Sequence, residues 1–279
     1  MRSSLRYGSP TFMIPGAQKC GTTALAVYLA RHPRLRLATT KEPDFFSRDA
    51  RYDGLRLEHY RKYFPRKRLP GREIFFEASV GYVFSPAVPA RLAAFDRSLR
   101  FVVMVREPAV RAHSAWNMYR TLVTVPSERR RFEAWLEDHN AGDRAVGLAM
   151  LARPRPPSFA EAIDEELEAI ARGGPSWTIP ALVAGGMYAE QLERFLAVFP
   201  REQFLVLEDR ELADRPNDIL NQVLAFLGLD PYDWGDEFPG VLVGSYDDPP
   251  DTATLERLRD FYAPHNRRFF ELSGRAFDW

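Results

Sequence analysis

Residues 11–25 read TFMIPGAQKCGTTAL, and the fold class follows from how this stretch is parsed. An apolar run at 11–15 passes into a glycine-bracketed turn, GAQKCG at 16–21, and then into a helix-forming segment at 22–31. Strand, loop and helix in that order bring backbone N–H groups and a helix N-terminus to one point, which favours an anion. The five-position interval from Gly16 to Gly21 equals that of the nucleoside-triphosphatase loop GxxxxGK[ST]. Lys19, however, precedes the second glycine instead of following it, so its ammonium group is displaced relative to phosphates held in the loop.

A similar unit recurs at 99–105, where LRFVVMV predicts a strand buried on both faces, followed by REP and a helical segment to about residue 122. Further strands are expected at 74–78 and 203–207, and amphipathic helices at 159–172, 179–199, 217–227 and 252–272. Alternation of strand and helix predicts an α/β fold, with a P-loop-like central parallel sheet flanked by helices. The segment 124–158 differs in character. It carries the basic run ERRRF and the proline-rich RPRPPS and offers no strand, which predicts a surface insertion or lid within a single domain over 1–279.

Of the 279 residues, 46% are apolar and 13% aromatic, enough for one large core. Thirty-eight basic residues balance thirty-eight acidic ones, so any anion site is local and a long polyanion such as nucleic acid is not expected as a partner. Cys20 is the only cysteine, which excludes an internal disulfide. Neither a signal-like apolar stretch at the start nor a membrane span is apparent, and the expectation is a cytoplasmic protein. Five scattered histidines give no metal-ligand spacing, so no metal is expected.

A triphosphatase also needs a carboxylate at a strand end to hold Mg²⁺, whereas the strand at 99–105 ends in Arg106. A guanidinium there suits a second phosphate on a nucleotide, the alternative being a surface ion pair. Ser114 follows eight residues later on the expected helix, a spacing that can bring a hydroxyl to the same anion.

PGAQKCGTTAL at 15–25 resembles the 5'-phosphosulfate loop of sulfotransferases that use 3'-phosphoadenosine-5'-phosphosulfate (PAPS), and VREPAVRAHSAW at 105–116 resembles their 3'-phosphate motif. The segments 30–47, 75–86, 185–212, 221–229 and 261–272 continue the likeness in the expected order, most like the carbohydrate, heparan-type branch and its bacterial relatives. The resemblance implies the sulfotransferase fold and transfer of a sulfuryl group from PAPS to a hydroxyl or amine of a carbohydrate, glycolipid or small natural product. The product nucleotide would be 3'-phosphoadenosine-5'-phosphate (PAP), and no metal is implied.

In this family pattern Gln18, Lys19, Cys20, Gly21, Thr22 and Thr23 hold the 5' end of the nucleotide, while Arg106 and Ser114 hold the 3' phosphate. Gly244, Ser245 and Tyr246 are candidates for a late nucleotide loop. Lys19 is the cation for the leaving group, and Glu42, matched through the paired Phe45 and Phe46, is the base. Asp44 is the alternative base, and an ion pair between Lys41 and Glu42 the non-catalytic alternative. Phe45 and Phe46 either wall the acceptor site or belong to the core, and His32 and His113 receive no catalytic role.

Two departures stand out. Ala78 replaces a lysine of the heparan-type enzymes, and the late stretch VLVGSYDDPP lacks their Lys-Gly pair and nearby disulfide. Both argue against a heparan acceptor. The rival readings are a P-loop kinase or triphosphatase, and a nucleotide-binding protein without chemistry.

Overall fold

The computed structural model describes residues 7–54, 57–66, 73–174, 179–241 and 251–279. The elements run β1 (Pro10–Ile14), α1 (Thr22–Leu29), β2 (Leu35–Leu37), α2 (Asp49–Gly54), α3 (Leu57–Arg61), β3 (Ile74–Ala78), α4 (Val88–Phe95) and β4 (Arg100–Val105). They continue with α5 (Pro108–Thr124), α6 (Pro126–Glu137), α7 (Ala141–Ala152), α8 (Phe159–Ala171), α9 (Tyr188–Leu196), β5 (Phe204–Glu208), α10 (Asp209–Asp214), α11 (Pro216–Phe226) and α12 (Thr252–Ser273).

The strands form one sheet in the order β2-β3-β1-β4-β5, and every neighbouring pair is parallel. Phe12, Met13 and Ile14 of β1 and Phe101 to Val105 of β4 are buried, as strands covered on both faces must be. Register partners include two stacked aromatic pairs, Phe12 on Phe76 at 4.7 Å and Phe101 on Phe204 at 4.9 Å, which pin the pairing. The four expected strands are present within a residue or two of their predicted bounds. The short β2, three residues long, has too little pattern to be read from sequence.

The chain divides into two compact units, Met1–Arg106 with Arg194–Val243, and Glu107–Glu193 with Gly244–Trp279. The first holds the sheet with α1 to α4, α10 and α11. The second is helical, built from α5 to α8 and α12, and α9 spans the boundary in sequence.

Within the second unit, the predicted insertion folds as α6 and α7. Phe132, Leu136 and Leu151 from these helices are buried with Trp116, Tyr119, Phe159, Ile163, Leu258 and Tyr262 in one core. Gly147 lets α7 lie against Leu136, since a Cβ there would run into that side chain. A capping box starts α8: Glu161 N donates to Ser158 Oγ at 3.3 Å, and Ser158 N to Glu161 Oε2 at 2.7 Å.

The helix expected over 179–199 is instead a 3₁₀ turn at Ala184–Gly186 followed by α9. Side chains of the same unit have taken the backbone groups that a helix would use. Arg111 donates to the carbonyls of Ala181 at 2.6 Å and Leu182 at 3.1 Å, while Glu166 accepts from the N–H groups of Leu182 at 2.7 Å and Ala184 at 2.9 Å. Pro180 and the Gly185–Gly186 pair remove the remaining helical preference.

Candidate active site

Because the strands of the first unit are all parallel, their C-terminal ends share one edge. Five chain segments leave from it. They carry the 16–21 loop after β1, Glu42 after β2, Ser79 and Tyr82 after β3, Arg106 after β4 and Asp209 after β5. The strand order reverses direction between β1 and β4, and ligands of open parallel sheets bind outside the carboxyl ends at such a switch point.

The loop after β1 is fixed by its backbone. Ala17 N donates to Met104 O at 2.7 Å, Met104 N to Gly16 O at 2.8 Å, and Val83 N to Pro15 O at 3.0 Å. Gly16 has φ 152°, and a Cβ there would strike Val83. Lys19 and Gly21 are both left-handed, at φ 69° and 73°, and Gly21 is the N-cap of α1 with no side chain capping the helix. The opening N–H groups of a helix lack intrahelical partners, so the Thr22 end of α1 is an anion cradle. Gln18, Lys19 and Thr23 are half-buried, whereas Cys20 and Thr22 are buried, with the Cys20 thiol 3.6 Å from the Gln18 carbonyl.

Arg106 stands at the end of β4 with its Nε 3.2 Å from Asp209 Oδ2. Burial pushes Asp209 up to about 6, and Arg106 offsets part of that rise. A Cβ placed on Gly21 would lie 3.4 Å from Asp209 Cβ, so this carboxyl stands beside the anion loop. A carboxylate at a strand end is therefore present after all, just beyond β5, but it is held in an ion pair with Arg106. Sequence reading missed it because EDREL reads as an ordinary acidic helix start.

The loop after β2 is pinned just beyond Glu42. Asp44 N donates to Ser79 Oγ at 3.2 Å, Phe46 N to Tyr82 Oη at 3.4 Å, Arg91 to the Phe46 carbonyl at 2.9 Å, and Arg51 to the Pro43 carbonyl. Glu42, at φ 54°, keeps its side chain 31% exposed and 3.2 Å from Lys41 Nζ. Asp44 turns inward to Arg48 at 3.1 Å, and burial, strengthened by the nearby Glu42 charge, leaves its carboxyl raised to about 6. Of the two candidate bases, the exposed one is Glu42. Phe45 and Phe46 are fully buried against Tyr60 at 5.0 and 4.9 Å, so they are core residues and do not wall an acceptor site.

Behind this loop lies Glu77 of β3, fully buried, with neither carboxyl oxygen in a formed hydrogen bond. The hydroxyls of Tyr60, Ser79 and Tyr82 face it at longer range. Burial pushes it up to about 8, so it is protonated at neutral pH. The signal that could have found it is an acid inside an apolar strand, FFEA at 75–78.

Ala78 is buried at the end of β3, opposite Ile14 in register. His32 is also buried; its Nδ1 accepts from Arg34 N at 3.2 Å and its ring packs edge-on against Tyr232, a turn-capping role. Ser114 and His113 lie buried on α5 in the second unit, where His113 Nε2 is 3.1 Å from Asn117 Nδ2. Gly244, Ser245 and Tyr246 fall outside the described residues. Among the described residues no cluster of three or more His, Cys, Asp or Glu could hold a metal, and no helix is long and apolar enough to cross a membrane.

The profile of the family described as "Sulfotransferase domain" matches residues 9–237. Over 97% of its length the chain is 29% identical to heparan sulfate glucosamine 3-O-sulfotransferase 3B1 of Mus musculus, of which it covers 65%. It is 30% identical, again over 97% of its length, to heparan sulfate glucosamine 3-O-sulfotransferase 6 of Homo sapiens, of which it covers 73%. Among solved structures it is similar to a sulfotransferase from Alicyclobacillus acidocaldarius, with 27% identity and a TM-score of 0.67 over 97% of this chain and 98% of that one. The chain thus spans just under two thirds of the mouse relative's length.

Proposed function

The chain belongs to the sulfotransferase domain family, and from that premise we propose that it transfers a sulfuryl group from PAPS to a hydroxyl or amine of a carbohydrate, glycolipid or small natural product. The observation that carries this reading is the loop Gly16–Gly21 ahead of α1, with its lysine before the second glycine, on the same sheet edge as Arg106. Backbone amides of Gln18 to Thr23 and the threonine hydroxyls take the 5' sulfate and phosphate. Arg106, with Ser114 on the following helix, takes the 3' phosphate. A dianionic phosphate competes well for Arg106 because Asp209, its present partner, is a carboxyl whose charge burial already disfavours.

In the transfer, the acceptor oxygen or nitrogen forms a bond to sulfur while the bond from sulfur to the bridging phosphate oxygen breaks. The electron pair stays on that oxygen, where the Lys19 ammonium neutralises the growing charge. The acceptor proton passes to the Glu42 carboxylate. Both carboxylates have a cationic neighbour, Lys41 for Glu42 and Arg48 for Asp44; Glu42 suits this role because it is the more exposed of the two, on a pinned loop.

The curated relatives are heparan sulfate enzymes by name, which supports a carbohydrate acceptor. Ala78 in place of a lysine and the balanced charge favour a small glycoside or glycolipid over a sulfated polysaccharide. A cytoplasmic setting fits a chain with one cysteine.

Calorimetry with PAP in EDTA tests the donor assignment. Expected is metal-independent binding with ADP at least roughly tenfold weaker, about 1.4 kcal/mol; equal affinities would remove the role given to Arg106 and Ser114. Asp209 beside the loop, with the Gly16–Gly21 interval, stands on the side of a triphosphatase. That reading predicts Mg²⁺-dependent ATP hydrolysis, which a phosphate-release assay would detect.

A further inference from the structure

The second unit contains a cavity of about 290 Å³ bounded by α5, α7, α8 and the 179–182 turn. Close-packed interiors leave few voids larger than a water molecule, and small-molecule pockets begin at roughly 300 Å³. The wall is apolar and aromatic, with Trp116, Tyr119, Val123, Val146, Met150 and Ile179 contributing.

The polar groups on the wall are already engaged by the protein. Arg153 forms a two-pronged pair with Glu165 at 3.0 and 2.7 Å. Glu166 spends both oxygens on the backbone N–H groups of Leu182 and Ala184. Arg120 lies over the Trp116 ring at 4.9 Å and donates to Asn117, and the Trp116 indole N–H donates to the Pro157 carbonyl at 3.0 Å. A charged ligand would compete with these contacts, whereas an uncharged one leaves them intact. The space exists because α8 presents alanines, Ala162 and Ala169, two turns apart on the face that meets it. Leucine at either position would take up part of it.

We propose that this cavity is a binding site for an uncharged hydrocarbon group. An apolar cavity of about 150 Å³ takes a benzene molecule, so the occupant is about twice that size, a medium-length alkyl chain or a fused ring pair. None of the residues given roles at the sheet edge lines it.

The test uses 1-octanol as probe, octanoate as charged control, and the full chain without nucleotide, so that its result stands apart from the sulfotransfer reading. Calorimetry is expected to show one saturable octanol site, with octanoate at least tenfold weaker. Ala162→Leu and Ala169→Leu are each expected to weaken octanol at least tenfold while keeping the native circular dichroism. Should both variants unfold, quenching of tryptophan fluorescence by 8-bromo-1-octanol in the wild type, lost in Trp116→Phe, reports occupancy instead. Absence of a saturable site, or octanol binding unchanged in both leucine variants, overturns the site; octanoate binding as tightly as octanol overturns the uncharged class.

A kinetic arm identifies the source of the hydrocarbon. If octyl β-D-glucoside is sulfated with a lower KM than the methyl glucoside, and octanol competes with it, the occupant is the acceptor's own tail. If octanol binds and leaves both rates unchanged, it is a separate molecule.

Discussion

At the scale of single residues, Lys19 and Glu42 belong to different loops of one sheet edge, and the proposed transfer gives them opposite duties, one toward the leaving oxygen and one toward the acceptor proton. Lys19→Ala and Glu42→Gln are each expected to lower kcat by about 10²- to 10³-fold, the usual cost of one electrostatic contact at a transition state. Calorimetric PAP affinity should stay close to wild type in both, and a Glu42→Gln enzyme of near-normal rate would move the base to Asp44. Glu77 makes a different prediction, in stability. Its carboxyl is raised from 4.5 to about 8 in the folded protein, so between those pH values the native state holds a proton that the unfolded chain has released. Stability therefore falls as pH rises through that window, the favourable protonated state being fully present only below it. Asp44, raised from 3.8 to about 6, adds the same sign over the lower part of the range. Urea denaturation at pH 5 and pH 8 should show a smaller loss for Glu77→Gln than for wild type; an unchanged loss would mean that Glu77 is ionised in the native state.

At the scale of elements, the anion loop depends on backbone shapes that only glycine adopts cheaply. Gly21 is left-handed with ordinary space around it, so Gly21→Ala should cost about 1–2 kcal/mol from conformation alone. Gly16→Ala should cost more, because the added methyl also meets Val83. Equilibrium unfolding of the two variants checks the order. On α8, Ser158→Ala removes one half of the capping box and should cost about 1 kcal/mol, with kcat unchanged since the cap lies in the helical unit. The missing helix over 179–187 shows where pattern reading fails: the apolar spacing is helical, but Arg111 and Glu166 claim its backbone groups from neighbouring helices. Competition of that kind has no local signature.

At the scale of the molecule, a parallel sheet gathers the ends of five strands that are far apart in sequence, and ligand binding there should stabilise the fold it bridges. PAP at a hundredfold excess over its Kd should add about 2.7 kcal/mol, read as a Tm rise that EDTA leaves unchanged; a rise that vanishes in EDTA would require a metal in the site. The sequence by itself determined the α/β class, four of the five strands and the anion loop, because buried parallel strands and glycine-bracketed turns are written in short, contiguous patterns. It also singled out Lys19, Glu42 and Arg106, whose proposed roles rest on motif position. Only the tertiary structure decided that Phe45 and Phe46 are core, that Arg106 is paired with Asp209, that Glu77 lies protonated behind the Glu42 loop, and that 126–152 packs as two helices, the second of which helps to line a cavity. Each of these depends on burial and on partners distant along the chain. Burial sets the charge state of an acid and the availability of a guanidinium, and residue order alone does not encode it.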